Sequence, residues 1–388
     1  MRVVIDARPA LDPHRTGVGH YTEAMLRHVP SADPDGRYVA WYLDVRGTLE
    51  NRRWFRGWAP NLTERATRIP TRLFAPLSVR TQLPRLEWLA GGFDLVMATN
   101  FLPPPTANRG VVLVVHDLAF DHLPETAPHH NPRWRRLFDH WLDRAAGVIV
   151  PSEATRQDLL RFHEVDPACI DVVAHGTDAD AFRPAAEADI EAMRRRLGIG
   201  GRYVLFLGGL EPRKNVEPLV RAFGSVADDD ADAWLVIAGG RVRWAPEYEA
   251  KVERAIAALP QAARARVVRA GYVADAERRA LLSGAEVLAY PSLYEGFGFP
   301  VMEGFAANVP VLTSDTSALP EVAGEAAVLV DPHDPGAIAA GLSDLLGDAD
   351  LRNVLRAAGT ARVATFTWER SARGTVEALR RAHARAAG

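Results

Sequence analysis

The sequence predicts an α/β fold of two doubly wound, Rossmann-like domains that face each other across a cleft. Short apolar, β-branched runs alternate with longer segments of helical periodicity along most of the 388 residues. The runs are apolar at consecutive positions, which is typical of parallel strands covered on both faces. The alternation pauses once, over 177–202, where Pro184, Gly198, Gly200 and Gly201 interrupt the pattern. Two sheets separated by one break therefore indicate two domains.

The predicted strands and helices define the domain boundaries. We predict an N-terminal domain over 1–180, a linker over 181–202 and a C-terminal domain over 203–367. The last segment, 368–388, is an amphipathic helix with no strand after it, and we expect it to return to the first domain. The predicted strands are 3–5, 38–43, 93–98, 111–116, 147–150, 170–174, 203–207, 234–238, 266–270, 286–290, 309–313 and 327–330; clear helical periodicity covers 156–162 and 217–227.

Composition narrows the class of protein. Lys and Arg number 46 against 49 Asp and Glu, so no charge excess points to a nucleic-acid partner. The longest apolar runs are strand-sized, far below the ~20 residues that cross a bilayer. The first residues already read as a strand, so we expect no signal peptide. Cys169 is the single cysteine, which fits a reducing compartment. We therefore expect a cytoplasmic protein.

Glu295 and Glu303 bracket a glycine-rich turn formed by Gly296, Phe297 and Gly298. An apolar strand that enters such a turn and then a helix directs backbone N–H groups at one spot, where they attract anions. Carboxylates beside that spot accept hydrogen bonds from hydroxyl groups. A ligand that carries both phosphate and many hydroxyls is a nucleotide-sugar.

The segment 291–304, read as PSLYEGFGFPVMEG, resembles the donor-binding signature of the family-4 glycosyltransferases, which have the two-domain GT-B architecture. The segments 16–21, 115–118, 150–156 and 207–215 resemble further motifs of the family, in the family's order. The details are most similar to bacterial mannosyl- and rhamnosyltransferases. The resemblance implies retaining transfer of a hexose from a nucleotide-diphosphate sugar, without a metal or other cofactor. Aspartates such as those at 228–230 lie in polar connections, so we predict no metal site.

The resemblance also implies roles for residues of the second domain. Arg213 and Lys214 follow a strand and would hold the donor diphosphate, where fixed cations stabilise the charge that grows on the leaving group. A solvated turn is the alternative. Glu303 would bind the ribose, and Glu295 would bind the transferred sugar; complementing a helix dipole is the alternative for Glu295. The other donor-binding residues implied are Gly208, Gly209, Tyr272, Val273, Gly296, Phe297 and Gly298.

Three residues of the first domain complete the predicted site. His116 would touch the donor sugar near the reacting carbon, although a histidine at a strand end is often only structural. We predict the catalytic group to be His116, Glu295, Arg213 and Lys214. Gly17 and Gly19 would form a loop near the donor phosphates and the acceptor, because glycine permits close backbone approach.

The stretch 46–86 holds nine arginines against two acidic residues, with Trp54, Phe55, Trp58 and Phe74 between them. Exposed aromatics among positive charges favour an anionic membrane surface or a lipid-diphosphate acceptor. A solvated, arginine-rich face is the alternative, and both interpretations stay open.

We predict transfer from GDP-mannose first, then from dTDP-rhamnose or a UDP-hexose, to a glycan or lipid-linked acceptor of bacterial surface polysaccharide. A GT-B nucleotide-sugar epimerase and a non-catalytic nucleotide-sugar-binding protein are the alternatives. The donor base, the acceptor, the linkage and the oligomeric state stay open at this point.

Overall fold

The computed structural model describes residues 1–12, 17–44, 54–124, 132–240, 242 and 244–387. The chain divides into two compact units. Unit 1 comprises Met1–Leu118, His129–Gly176 and Thr367–Gly388, and unit 2 comprises Ala119–Pro128 and Thr177–Phe366. Each unit holds one parallel sheet with helices, so the predicted α/β class with two Rossmann-like domains is confirmed. Among the described residues, no helix is both long enough and apolar enough to cross a membrane.

Unit 1 contains a seven-stranded sheet in the order β3-β2-β1-β4-β5-β6-β7, and every neighbouring pair is parallel. Parallel neighbours need crossover connections, which the helices provide. The strands are β1 (Arg2–Asp6), β2 (Arg37–Leu43), β3 (Leu62–Thr67), β4 (Leu95–Ala98), β5 (Val111–Val114), β6 (Gly147–Val150) and β7 (Ile170–Val172). The helices in this part of the chain are α1 (Gly17–Ala32), α2 (Thr71–Thr81), α3 (Leu86–Ala90), α4 (Ala119–His122, assigned to unit 2), α5 (Pro132–Arg144) and α6 (Glu153–Phe162).

Unit 2 contains a six-stranded parallel sheet in the order β10-β9-β8-β11-β12-β13. Its strands are β8 (Arg202–Leu207), β9 (Ala233–Ala238), β10 (Val267–Gly271), β11 (Val287–Tyr290), β12 (Val311–Ser314) and β13 (Ala327–Val330). Its helices are α7 (Glu187–Leu197), α8 (Val216–Asp229), α9 (Pro246–Ala258), α10 (Gln261–Arg264), α11 (Asp275–Ser283), α12 (Phe299–Ala306), α13 (Leu319–Ala323), α14 (Pro335–Gly347) and α15 (Ala349–Val363).

The last helix, α16 (Trp368–Ala387), belongs to unit 1 although it follows unit 2 in the sequence. Ala372, Val376, Leu379 and Ala382 recur at helical spacing and are buried in the core of unit 1. The first helix, α1, packs beside it. The core of unit 1 therefore contains residues from both ends of the described chain.

The segment 181–202, predicted to be a linker, is part of unit 2. It contains α7, whose Met193 is buried in the core of that unit together with Ile199. Gly198, which we interpreted as an interruption, ends the helix in the left-handed conformation that glycine favours, with φ at 66°. The chain leaves unit 1 earlier, between Gly176 and Thr177.

The strand β3 was not predicted. It is an edge strand that pairs only with β2, and it carries polar residues such as Thr63, Glu64 and Arg65. An edge strand with solvated side chains lacks the continuous apolar run by which the other strands were found.

The arginine-rich stretch differs from the prediction in its aromatic residues. Phe55 and Phe74 are buried, at 3% and 0% exposure, so the expectation of exposed aromatics is wrong for both. Trp54 and Trp58 are half-buried. Residues 46–53 of the stretch lie outside the described residues. Leu73 and Leu77 are large apolar side chains that α2 exposes.

Candidate functional site

Two loops of unit 2 meet because their strands are neighbours in the sheet. β8 pairs with β11, so the segments that follow them leave the same edge side by side. A 3-10 turn, Pro212–Lys214, follows β8, and the segment 291–295 follows β11. The backbone N–H of Leu293 donates to the carbonyl of Arg213 at 2.7 Å, and the Ser292 hydroxyl donates to the same oxygen at 2.9 Å. The two motifs that the sequence placed 80 residues apart are thus fixed to each other.

The side chains at this junction form a buried, charged group that we call the Glu295 cluster: Arg213, Lys214, Tyr290, Ser292 and Glu295. One oxygen of Glu295, Oε1, accepts from Lys214 Nζ at 2.5 Å, Ser292 Oγ at 2.7 Å and Tyr290 Oη at 2.8 Å. The other oxygen, Oε2, lies 2.9 Å from Arg213 Nη1. Lys214 also donates to the Tyr290 hydroxyl. The carboxylate of Glu295 thus contacts two adjacent cations, and Glu211, whose Oε2 lies 2.9 Å from Arg213 Nε, supplies the second negative charge.

Burial and charge set the protonation of the cluster. Burial alone would raise the pKa of Glu295, but Arg213 and then Lys214 outweigh it and lower that pKa to about 2. Burial lowers the pKa of Lys214, and the neighbouring Arg213 lowers it further, while Glu295 opposes both effects. Burial, followed by the charge of Glu295, raises the pKa of Tyr290 well above its ordinary value. The hydroxyl of Tyr290 is therefore a neutral donor to the carboxylate at neutral pH.

The glycines before the cluster allow two loops to approach closely. Gly208 is the first residue after β8, and its N–H donates to the carbonyl of Ala238, at the end of β9, at 2.9 Å. A Cβ on Gly239 would lie 1.8 Å from the carbonyl oxygen of Gly208, so no larger residue fits at Gly239. Gly209 follows Gly208 in the same loop. The predicted pair Gly208 and Gly209 thus lies directly before the Pro212–Lys214 turn, packed against a third glycine that was not predicted.

The turn after Glu295 leads into α12, as predicted. Gly298 precedes the helix at a φ of 112°, and a Cβ there would lie 2.8 Å from the Leu319 side chain, so only glycine fits. Phe297 and Gly296 are buried. The fifth residue of α12 is Glu303, which is 6% exposed and ion-paired with Arg278 of α11. The two glutamates are thus held by different cations, at successive points of one strand–turn–helix unit.

Tyr272 and Val273 follow β10 in unit 2. Tyr272 is 74% exposed, whereas Val273 is buried. The predicted contact with a nucleotide base involves the backbone of this loop. The exposed Tyr272 ring shows that the loop lies at the surface of the unit.

His116 of unit 1 lies two residues after β5, not within the strand as predicted. Its Nε2 is 2.7 Å from the carbonyl oxygen of Thr99, so Nε2 carries the proton. Its Nδ1 is 3.2 Å from Nε2 of His175, which must therefore donate to it. Tyr21 of α1 packs against both rings, with centroids 5.0 and 4.5 Å away. Both nitrogens of His116 are thus engaged within unit 1.

Burial lowers the pKa of His116, and it lowers the pKa of His175 further with the help of the neighbouring ring. The pair is therefore neutral at physiological pH. Gly17 and Gly19, predicted to lie in a loop, are instead in the first turn of α1. Tyr21, which packs against the histidine pair, lies in the same helix.

Sequence reasoning missed four side chains that complete these groups. Tyr290 and Ser292 end and follow β11, Arg278 pairs with Glu303, and His175 follows β7 by three residues. The rule that singled out His116, a polar residue just beyond an apolar strand, applies equally to His175 and Ser292. Nothing in the sequence pattern indicates Arg278, because its role depends on the packing of α11 beside α12. Within the described ranges, no group of three or more His, Cys, Asp or Glu side chains is placed to hold a metal ion.

Two family models match consecutive parts of the chain. Residues 16–181 match Glycosyltransferase Family 4, and residues 189–362 match Glycosyl transferases group 1. The chain is 28% identical to the O-antigen chain mannosyltransferase B of Escherichia coli over 284 residues, which span 72% of each protein. It is 32% identical to the D-inositol 3-phosphate glycosyltransferase of Corynebacterium diphtheriae over 245 residues, 61% of this chain and 57% of that protein.

Solved structures share the fold. The crystal structure of Anabaena HepE in complex with UDP and glucose superposes with a TM-score of 0.72 at 17% identity, covering 98% of this chain and 99% of that one. WaaG, a glycosyltransferase involved in lipopolysaccharide biosynthesis, superposes with a TM-score of 0.66 at 13% identity, covering 97% and 99%. The family matches, the mannosyltransferase relative and these structural neighbours agree with the motifs described above. The chain therefore belongs to the family-4 glycosyltransferases of GT-B architecture.

Proposed function

We propose that this glycosyltransferase moves a hexose from a nucleotide-diphosphate sugar to a glycan or lipid-linked acceptor, with retention of configuration at the transferred carbon. The observation that carries the proposal is the Glu295 cluster, in which the buried Lys214 and the half-buried Arg213 contact the same carboxylate. Buried cations are expensive unless they serve a ligand or a partner. The diphosphate is the part of the donor whose negative charge two cations would compensate.

In the proposed mechanism, the diphosphate binds against Arg213 and Lys214 and takes over part of the charge compensation that Glu295 provides without ligand. As the glycosidic bond breaks, negative charge grows on the diphosphate, and fixed cations stabilise that state more than the ground state. Glu295 is then available to accept hydrogen bonds from hydroxyls of the transferred sugar. Because two protein cations supply the charge, the proposal includes no metal ion and no other cofactor.

The remaining donor contacts follow the same strand-end loops. Gly208 and Gly209 offer backbone N–H groups to the phosphates, Glu303 accepts from the ribose hydroxyls, and the loop at Tyr272 and Val273 contacts the base. The ion pair with Arg278 orients the Glu303 carboxylate. These roles are proposals that rest on position and on family membership.

We propose that His116 acts as a neutral residue. A hydrogen bond from its ring to the sugar would require one nitrogen to give up Thr99 or His175. His116 can contribute without breaking either hydrogen bond if its ring, held by Tyr21 and His175, forms a fixed surface against the sugar. Its backbone just beyond β5 is available in the same way. The adjoining glycines, Gly17 and Gly19, support this arrangement through α1.

GDP-mannose is the proposed donor, followed by dTDP-rhamnose or a UDP-hexose. The O-antigen mannosyltransferase of Escherichia coli supports mannose, while HepE was crystallised with UDP and glucose. We propose a role in surface polysaccharide synthesis in the cytoplasm, with unit 1 associating peripherally with the membrane that carries the acceptor. Two features of α2 support that association: the apolar side chains of Leu73 and Leu77 are exposed, and so are Arg72 and Arg80 of the same helix.

The test is turnover with and without acceptor. A thermal-shift comparison of GDP, UDP, dTDP and ADP first identifies the base, and the matching sugar nucleotide is then incubated with glycan and lipid-linked acceptors. Release of the nucleoside diphosphate together with a glycosylated acceptor is expected. Conversion of the donor to an isomer without any acceptor would instead identify an epimerase. Donor binding without turnover on any acceptor, equal in the wild type and His116→Ala, would identify a binding protein.

A further inference from the structure

A cavity of about 700 Å³ opens in unit 1, away from the His116 pair. It is formed by the end of α2, the segment before α3, the segment before β5 and the end of α5. The residues that line it include Gln82, Arg85, Asn108, Arg109, His140 and Arg144. Its volume lies within the range of about 300–1,000 Å³ that is usual for small-molecule sites.

The cavity lies at the opposite edge of the sheet from His116. Asn108 and Arg109 precede β5, and Arg144 precedes β6, whereas His116 follows β5. Because β5 and β6 are parallel, the residues before them lie at one edge and the residues after them at the other. Seven residues separate Arg109 from His116, about 20 Å of extended chain. A ligand in this cavity would therefore not overlap with one at His116.

Three arginines converge on the cavity without compensation. The side chains of Arg85, Arg109 and Arg144 are exposed, and within the described part of the chain none has a hydrogen-bond or ion-pair partner. This differs from the arginines of the Glu295 and Glu303 sites, which are paired with carboxylates. His140 adds a fourth basic group.

The wall of the cavity is a fixed loop. Glu87 Oε1 accepts from Thr106 Oγ1 at 2.7 Å and from the backbone N–H groups of Ala107 and Asn108 at 2.8 and 3.0 Å. The Asn108 side chain donates to the Phe93 carbonyl at 2.8 Å and accepts from the Gly110 N–H at 2.7 Å. Two acidic residues lie near the cavity without lining it. Glu87 is behind the loop, and Asp143 directly precedes Arg144 in the sequence.

We propose that this cavity binds a phosphate group carried by a second ligand, distinct from the nucleotide-sugar donor. Arginine presents a planar fork of donors that matches two phosphate oxygens at once, and three such forks around one cavity suit a phosphate better than a neutral sugar. The phosphate belongs either to a phospholipid headgroup or to a soluble phosphorylated compound. The inference does not rest on the donor site of unit 2.

The experiment compares two triple variants of the full chain. Arg85→Ser, Arg109→Ser and Arg144→Ser remove the cavity arginines. Arg195→Ser, Arg254→Ser and Arg373→Ser remove three exposed arginines elsewhere that likewise have no partner among the described residues, which gives the same change in net charge. None of the six holds the fold through a described contact, so both variants should unfold at the temperature of the wild type.

Two probes distinguish the sources of the phosphate. Binding of inorganic pyrophosphate is measured by calorimetry, in the wild-type background and in Lys214→Ala, where the proposed donor site is impaired. Co-sedimentation is measured with phosphatidylcholine vesicles that contain or lack phosphatidylglycerol. We expect the cavity variant to lose at least about tenfold in affinity for one probe, while the control variant keeps it.

Each outcome decides the proposal. Loss of pyrophosphate binding by the cavity variant in the Lys214→Ala background, with loss of one of two binding sites in the wild-type background, identifies a soluble phosphorylated ligand. Selective loss of binding to phosphatidylglycerol vesicles identifies a lipid headgroup. The proposal is overturned when the cavity variant binds both probes as the control does, or when the wild type binds neither. If the proposed function is wrong, turnover is absent while the cavity still binds its probe. The two proposals can therefore be refuted independently.

Discussion

The Glu295 cluster predicts that Glu295→Gln will lower the stability of unit 2 while strengthening its response to a diphosphate. Glutamine keeps the shape of the side chain and removes its charge. Arg213 retains its ion pair with Glu211, with Nε and Oε2 2.9 Å apart, but Lys214 loses the carboxylate 2.5 Å from its Nζ. The variant therefore leaves a buried ammonium without its salt-bridge partner.

Two estimates give the size of the effect. The pKa of Glu295 falls from 4.5 to about 2, which corresponds to about 3 kcal/mol of favourable interaction with the ionised form. Breaking a buried ion pair by removing one partner costs about 3–5 kcal/mol. Because a Lys214 without its carboxylate can release its proton, we expect the lower end, about 3 kcal/mol. For a unit of this size that is a fall in Tm of roughly 6–12 °C.

Thermal unfolding of the wild type and Glu295→Gln, with and without inorganic pyrophosphate, measures both effects. Pyrophosphate should raise the Tm of the variant more than that of the wild type, since in the wild type it must displace a carboxylate from the two cations. Glu377→Gln is the control, because Glu377 is 67% exposed and 4.0 Å from Arg381, and it should change little. A Glu295→Gln Tm within 2 °C of the control, or an equal response to pyrophosphate, would refute the reasoning.

Three further predictions concern single side chains. Lys214→Ala should reduce kcat roughly 10²–10³-fold, while Glu303→Ala should mainly raise KM for the donor; steady-state kinetics showing the reverse would contradict the proposed roles. Tyr290→Phe removes the hydroxyl that touches both Lys214 and Glu295, and denaturant unfolding should show about 1–2 kcal/mol lost; no loss would mean that the hydroxyl is not needed. Because the pKa values of His116 and His175 are lowered in the folded protein, the unfolded chain takes up protons first as the pH falls. The free energy of unfolding should therefore be highest above pH ~6.5 and fall below it, by up to about 1.4 kcal/mol per pH unit and histidine. His175→Gln should show a shallower dependence of this free energy on pH between about pH 6.5 and 5.5, and an unchanged dependence would reject the account.

The sequence predicted the parts of the fold that depend on local pattern. Continuous apolar runs such as Val111–Val114 mark buried parallel strands, and the polar residues just beyond β8 and β11 led to Arg213, Lys214 and Glu295. The pattern could not reveal β3, whose side chains are partly solvated because it lies at the sheet edge.

The sequence pattern also could not predict side-chain contacts between elements that are distant in the sequence. The ring of His116 faces His175, which lies 59 positions away, because β7 and the loop after it fold beside β5 through β6. Likewise α7 was interpreted as a linker because its flanking glycines signal an end of regular structure, and the same glycine at 198 proves to be the cap of a helix. Spacing predicts elements, whereas their contacts require the assembled sheet.

The position of α16 in the core of unit 1 has a consequence for synthesis. A ribosome has made every residue of unit 2 by Phe366, but it has made the last core residues of unit 1 only after Ala382. Unit 1 can therefore complete its core only after all of unit 2 has been synthesised, contrary to the usual N-terminal-first order. Until then the groove for α16 presents apolar surface to the cell, and chaperones that hold such surfaces would meet unit 1 for longer than unit 2.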